Sequence, residues 1–126
     1  MGLVCESNKI RKAKDSKKIR LLVDEWIENK GYLSNDIGID KLGKRLGINR
    51  TYISNYINDT YHSNFNTWIH NMRIADAQKL IIDNPDMTMG QIAVMTGYSD
   101  QAHFCKQFKA VSGKSPIKWK KENLKK

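Results

Sequence analysis

Two stretches of this chain repeat one another, and the repeat constrains the fold more than any other feature. Leu42 and Gly47 recur fifty positions on as Ile92 and Gly97. Ile53, Ile57, Phe65 and Trp68 recur fifty-one positions on as Phe104, Phe108, Pro116 and Trp119. The one-residue slip falls in the turn after the glycine, where an insertion is most easily absorbed. Each copy reads as a short helix, a glycine corner and a second helix.

Apolar spacing supports that reading along the whole chain. Over residues 16–30, Ile19, Leu22, Val23, Trp26 and Ile27 fall at helical intervals, with Gly31 as the stop. Ile39, Leu42 and Leu46 predict a short helix ending at Gly47. Asn49 suits the N-cap of a helix carrying Tyr52, Ile53, Tyr56 and Ile57, followed by a turn at 59–63. Asn64 is placed to cap a long helix reaching about Ile82. Phe65, Trp68, Ile69 and Met72 share one of its sides, while Ile74, Ala77 and Ile81 lie nearly opposite. A helix flanked on both sides is what a connector between two packed units needs. Asn84-Pro85-Asp86 ends it. Thr88 caps a helix through Ile92, Ala93 and Met95. Ser99 caps another carrying Ala102, Phe104 and Phe108, and Pro116 opens a last one with Trp119. No useful stretch alternates with period two.

The expectation is an all-α chain of about seven helices. Residues 16–63 and 84–121 form two helix-turn-helix, homeodomain-like units. A connecting helix at 64–83 joins them, with a basic tail or linker at 1–15 and a basic tail at 122–126.

Charge narrows the partner. The chain has 22 Lys and Arg against 13 Asp and Glu, a formal net of +9. A small domain this basic suits polyanions, because each neutralised phosphate releases condensed counterions. Charge alone does not separate DNA from RNA or anionic lipid. Cys5 and Cys105 have no metal-ligand spacing, and neither do His62, His70 and His103. No metal and no cofactor is expected. No apolar run approaches the roughly twenty residues of a membrane span, and Met1–Ile10 is too polar for a signal peptide. The expected location is the cytoplasm, at the nucleoid, with no membrane partner.

The second half carries a more specific pattern: Ile92-Ala93, Gly97-Tyr98-Ser99-Asp100-Gln101, Phe104, Lys106, Phe108-Lys109, Gly113, Ser115-Pro116 and Trp119-Lys120. It resembles the signature of the AraC/XylS family of bacterial transcription regulators. Arg73-Ile74, Ala77 and Leu80-Ile81 are similar to that family's connecting helix. The resemblance covers roughly residues 16–121. Three positions depart from it: Gly38 replaces a frequent Ser or Thr cap, His62 a usual glycine, and Lys120 a final Arg, which keeps charge but loses bidentate geometry.

The resemblance implies a sequence-specific double-stranded DNA-binding regulator, an activator in most of the family, that recruits RNA polymerase. It implies two recognition helices, about 50–58 and 100–111, in adjacent major grooves. A helix from Asn64 to Ile82 is roughly 28 Å long at 1.5 Å per residue, against about 34 Å between successive major grooves on one DNA face.

In the first recognition helix, Arg50, Thr51, Ser54 and Asn55 project away from Ile53 and Ile57. The family's base-reading positions map onto Thr51, Ser54 and Asn55. Asn pairs with adenine, Thr meets a thymine methyl, and Arg50 reaches a guanine or a phosphate. In the second helix the corresponding face is Gln101, Ala102, His103, Cys105 and Lys106, with Gln101 suited to adenine and Lys106 to guanine or phosphate. Arg73, Ser99, Lys114 and Lys120 are the candidate phosphate contacts.

Two other readings compete. One is a non-specific polyanion-binding or protein-interaction module. The other is a repair enzyme carrying an AraC-like segment. The sequence holds no accompanying cysteine cluster, paired carboxylates or nucleophile–base set, so no enzymatic activity is expected. An effector or dimerisation domain is expected outside this chain, whose Met-Gly start before linker-like residues suits a piece of a larger protein.

Overall fold

The computed structural model describes residues 17–124, so the segment 1–15 read as a tail, and residues 125–126, lie outside the described residues. Among the described residues there are seven α-helices and no strand. Helix α1 covers residues 17–28, followed by a single 3₁₀ turn at Gly31–Leu33. The rest are α2 (Ile39–Leu46), α3 (Arg50–Tyr61), α4 (Phe65–Asp83), α5 (Met89–Met95), α6 (Gln101–Ser112) and α7 (Pro116–Leu124). The described residues divide into two compact units: one of residues 17–31 and 38–65, the other of residues 32–37 and 66–124.

The first unit is built on the apolar stripes of α1, α2 and α3. Ile19, Val23 and Trp26 of α1, Leu42 of α2, and Ile53 and Ile57 of α3 are all buried. The departures from the family pattern have visible consequences. Gly38 is the N-cap of α2 in extended backbone, with no side chain to take a cap hydrogen bond. At the far end of α3 the helix runs on through Tyr61, into the stretch 59–63 expected as a turn. His62 takes the left-handed C-cap at φ 55°, its N–H donating to Asn58 O. An L-residue in that region costs roughly 1–2 kcal/mol, part of which glycine gives back as unfolded-state entropy. His62→Gly is therefore expected to raise stability by about 0.5–1 kcal/mol, read as a higher midpoint in urea unfolding. An unchanged or lower midpoint would mean that the exposed imidazole makes compensating contacts.

The second unit has a denser core. Ile74, Ala77 and Ile81 of α4 pack with Ile92, Ala93, Tyr98, Phe104 and Phe108, and Trp119 leans on this cluster. Phe104, Phe108 and Trp119 form a chain of edge-on rings, each 5.8 Å from the next. Burying a large apolar side chain contributes about 1.5–3 kcal/mol, so this aromatic column is a main support of α6 and α7. Along α4, Phe65, Trp68 and Ile69 are buried as well as Ile74, Ala77 and Ile81, so both apolar sides of the long helix are covered. Thr88 and Gln91 close a full capping box at the start of α5.

Residues 122–124 were expected in a tail but belong to α7. Asn123 donates to Trp119 O (2.8 Å) and Lys114 pairs with Glu122, holding that last turn.

Candidate nucleic-acid interface

In the first unit, Gly47 ends α2 in the left-handed region at φ 70°, and Asn49 starts α3 by accepting from Thr51 N–H at 2.8 Å. These two caps fix the corner. With Ile53 and Ile57 fully buried, Arg50, Thr51 and Asn55 stand exposed on the other side of α3, and Ser54 is half-buried. Arg50 Nη1 donates to both carboxylate oxygens of Asp40, at 3.0 and 3.3 Å. An exposed pair like this is worth about 0–1 kcal/mol, so a phosphate or guanine edge can displace Asp40. Tyr52, read as an apolar stripe residue, is 44% exposed, at a cleft it shares with Ile19 and Leu22 of α1. Period alone does not separate it from the buried Ile53 beside it.

In the second unit, Gly97 turns the corner at φ 93°. The N-cap of α6 is Asp100, which accepts from His103 N–H at 2.7 Å, and not the expected Ser99. Both residue types cap well; the extended backbone at Asp100 places the cap there. Gln101, Ala102, His103 and Lys106 are exposed, opposite the buried Phe104 and Phe108. His103 is not free-standing. Its ring sits edge-on to buried Tyr98 at 5.3 Å and to His70 at 5.9 Å. His70 Nδ1 and Tyr98 Oη are 2.7 Å apart, with the two rings stacked. Burial first, then the charges of Arg73 and His103, lower the His70 pKa and favour its neutral form. Gln107, half-buried on the next turn, reaches His103 Nε2 at 3.5 Å.

Both halves thus present a second helix with a buried apolar face and an exposed polar one. A family model described as "Helix-turn-helix domain" matches residues 42–122, and its members are of the AraC type. The chain belongs to the AraC-type helix-turn-helix family. Over 88 residues, 70% of this chain, it is 28% identical to the Msm operon regulatory protein of Streptococcus mutans, and it spans 31% of that relative's length. Two solved structures share the fold. One is the C-terminal domain of the two-component response regulator yesN from Fusobacterium nucleatum (TM-score 0.71, 18% identity, 82% of this chain and 98% of that one). The other is the DNA-binding domain of AdpA, solved with a target DNA (TM-score 0.69, 18% identity, 82% and 89% covered). This is an AraC-type, DNA-binding domain of a transcription regulator.

Within the AraC-type domain, two of the expected interface residues are placed elsewhere. Arg73 is 6% exposed and spends its guanidinium inside the second unit. Its Nε donates to Tyr32 O at 2.7 Å and its Nη2 to Ser34 O at 2.6 Å, while the guanidinium carbon lies 5.1 Å from the centre of the Tyr98 ring. It is a clasp for residues 32–34, not a phosphate contact. Cys105 is half-buried and packs against the core, and burial raises its thiol pKa. It sits on the flank of α6, away from the open face, because the wide Phe104–Phe108 stripe takes in the position beside it. Of the remaining phosphate candidates, Ser99 is exposed just ahead of the cap, Lys114 pairs with Glu122, and Lys120 donates to Pro85 O. Among the described residues, no helix is long and apolar enough to cross a membrane.

Proposed function

We propose that this domain binds double-stranded DNA sequence-specifically by inserting α3 and α6 into adjacent major grooves. The two helix-turn-helix units at 16–63 and 84–121, joined by the 64–83 helix, act as paired readers. The observation that carries the reading is the repeated arrangement of a capped second helix with an exposed polar face in a chain of net charge +9. Arg50, Thr51 and Asn55 on α3, and Gln101, Ala102, His103 and Lys106 on α6, are the proposed base readers. Ser54 contributes from the edge of its helix. Ser99, Lys114 and Lys120 are the proposed phosphate contacts, the lysines exchanging their internal partners for the backbone. The AdpA domain with its target DNA and the operon-regulatory role in the S. mutans protein's name support this use of the fold. Action is by binding rather than catalysis, in the cytoplasm at the nucleoid, and activation proceeds through contact with RNA polymerase.

Selection of random-sequence duplexes by the purified chain tests this. The expected result is a motif with two half-elements about one helical turn apart. On that motif, Asn55→Ala or Gln101→Ala should cost about 1–3 kcal/mol and relax preference in one half-element each. Lys114→Ala should weaken all sequences alike and reduce the salt slope by about one. Affinity that falls with salt but is equal for every sequence would overturn sequence-specific reading in favour of non-specific polyanion binding.

A further inference from the structure

A groove of about 560 Å³ lies between α7 and the segment that leads into α5. Met87, Met89, Ile117 and Leu124 supply its apolar surface, and Lys120 and Lys121 stand beside them. It shares no residue with the proposed DNA-reading faces of α3 and α6, apart from the phosphate candidate Lys120. Ile117 is 56% exposed there, next to the fully buried Pro116. An exposed branched apolar side chain on an otherwise basic helix needs an explanation, and contiguous apolar surface rimmed by charge marks interaction sites.

The residues that α7 contributes define the shape of the occupant. Ile117, Lys120, Lys121 and Leu124 are spaced i, i+3, i+4 and i+7, a single stripe about 10 Å long. That stripe matches two turns of a second helix laid alongside it, anchored through its own i, i+3/i+4, i+7 residues. Two methionines on the opposite wall supply soft, unbranched side chains that refit to varied anchors. Charge defines the rest. The ammonium groups of Lys120 and Lys121 flank the apolar strip, and Lys120 is held in place by its hydrogen bond to Pro85 O. Acidic residues bordering the partner's apolar anchors complement both. A second copy of this chain would bring a net +9 against the same rim, and residues 1–15 carry Lys9, Arg11, Lys12 and Lys14. Like charge disfavours both as occupants.

We propose that this groove docks a short acidic amphipathic helix of a partner protein. The proposal stands apart from the DNA reading, since the groove residues other than Lys120 take no part in it.

The test uses the whole chain with isotope-labelled methionine methyl groups, followed by NMR. The probe is a synthetic helical peptide of about fourteen residues, with leucines at i, i+3/i+4 and i+7 and glutamates flanking them. The Met87 and Met89 signals should move saturably, with a Kd on the order of 10–100 µM for an interface of this size, while Met95 on the far end of α5 stays in place. Ile117→Asp should abolish the shifts, and Lys121→Glu should weaken them about tenfold. Both positions are exposed, so the fold survives either change, and binding of the selected DNA should be unaltered by Ile117→Asp. The same peptide with lysines for glutamates, and a scrambled one, should not bind. Equal binding by either control, no saturable shift, or shifts produced only by decanoate would overturn the proposal, the last pointing to a small amphipathic anion instead.

Discussion

Replacing Arg73 with alanine is expected to destabilise the second unit by about 3–5 kcal/mol. Two hydrogen bonds from a charged donor are lost, each worth about 1.5–3 kcal/mol, and the carbonyls of Tyr32 and Ser34 lose their donor. The stacking of the guanidinium on Tyr98 adds a contribution of about 0.5–2 kcal/mol. Tyr32 is further tied by its hydroxyl to Asp76 at 2.9 Å, so residues 32–34 would keep one tether but lose two. Arg73→Lys should recover less than half of the loss, because an ammonium cannot span two carbonyls as the planar fork does. Urea unfolding gives the size of the effect, and amide exchange along α6 shows whether it falls in the second unit. A phosphate-contacting arginine behaves in the opposite way: unfolding unchanged, DNA affinity lowered, and the salt slope reduced by about one. That outcome would sink the clasp.

Gly97→Ala is expected to cost roughly 3–5 kcal/mol, whereas Gly47→Ala should cost only about 1 kcal/mol, although the two glycines occupy equivalent positions in the repeat. Gly47 adopts φ 70° with open space where a Cβ would go, so the change carries only the ordinary penalty of an L-residue in the left-handed region. Gly97 lies at φ 93°, and a Cβ there would meet Leu33 O at 2.7 Å and the Arg73 guanidinium at 3.0 Å. Backbone strain of about 1–3 kcal/mol is then compounded by overpacking of about 1–3 kcal/mol against a carbonyl that cannot move without breaking the Arg73 clasp. Chemical denaturation of both variants side by side checks the asymmetry. Equal losses would mean that the 32–34 segment yields easily and that the close approach at Gly97 carries little weight.

These two predictions mark where reading the chain as a string stops being enough. The helices were legible because their signals are local. Leu42 and Ile92, Ile53 and Phe104, Ile57 and Phe108 recur at helical spacing, and each is fully buried in the structure. Asn49 and Thr88 cap where expected because an N-cap needs only a side-chain oxygen and an amide two or three residues on. The exposed Asn55, Gln101 and Lys106 were legible for the same reason, as the faces left over once the apolar stripes were assigned. Tyr52 and Cys105 show the limit of that reasoning, since residues on the border of a stripe fall on either side of it.

What the amino-acid order determined alone was the all-helical architecture, its glycine corners and its family. The helices and corners rest on periodicity and caps that act over three or four residues, and the family on the motif running from Ile92-Ala93 to Trp119-Lys120. Only the tertiary structure decided the fate of Arg73, the difference between Gly47 and Gly97, the His70–Tyr98–His103 cluster behind α6 and the groove beside α7. Each depends on groups brought together from separate stretches of the chain, as with His70 and Tyr98, 28 positions apart, or on free space left between packed helices. A charged side chain looks the same in sequence whether it faces solvent or two backbone carbonyls. Packing alone sets which of these it meets, because the desolvation of a guanidinium is offset only where those carbonyls are brought to it.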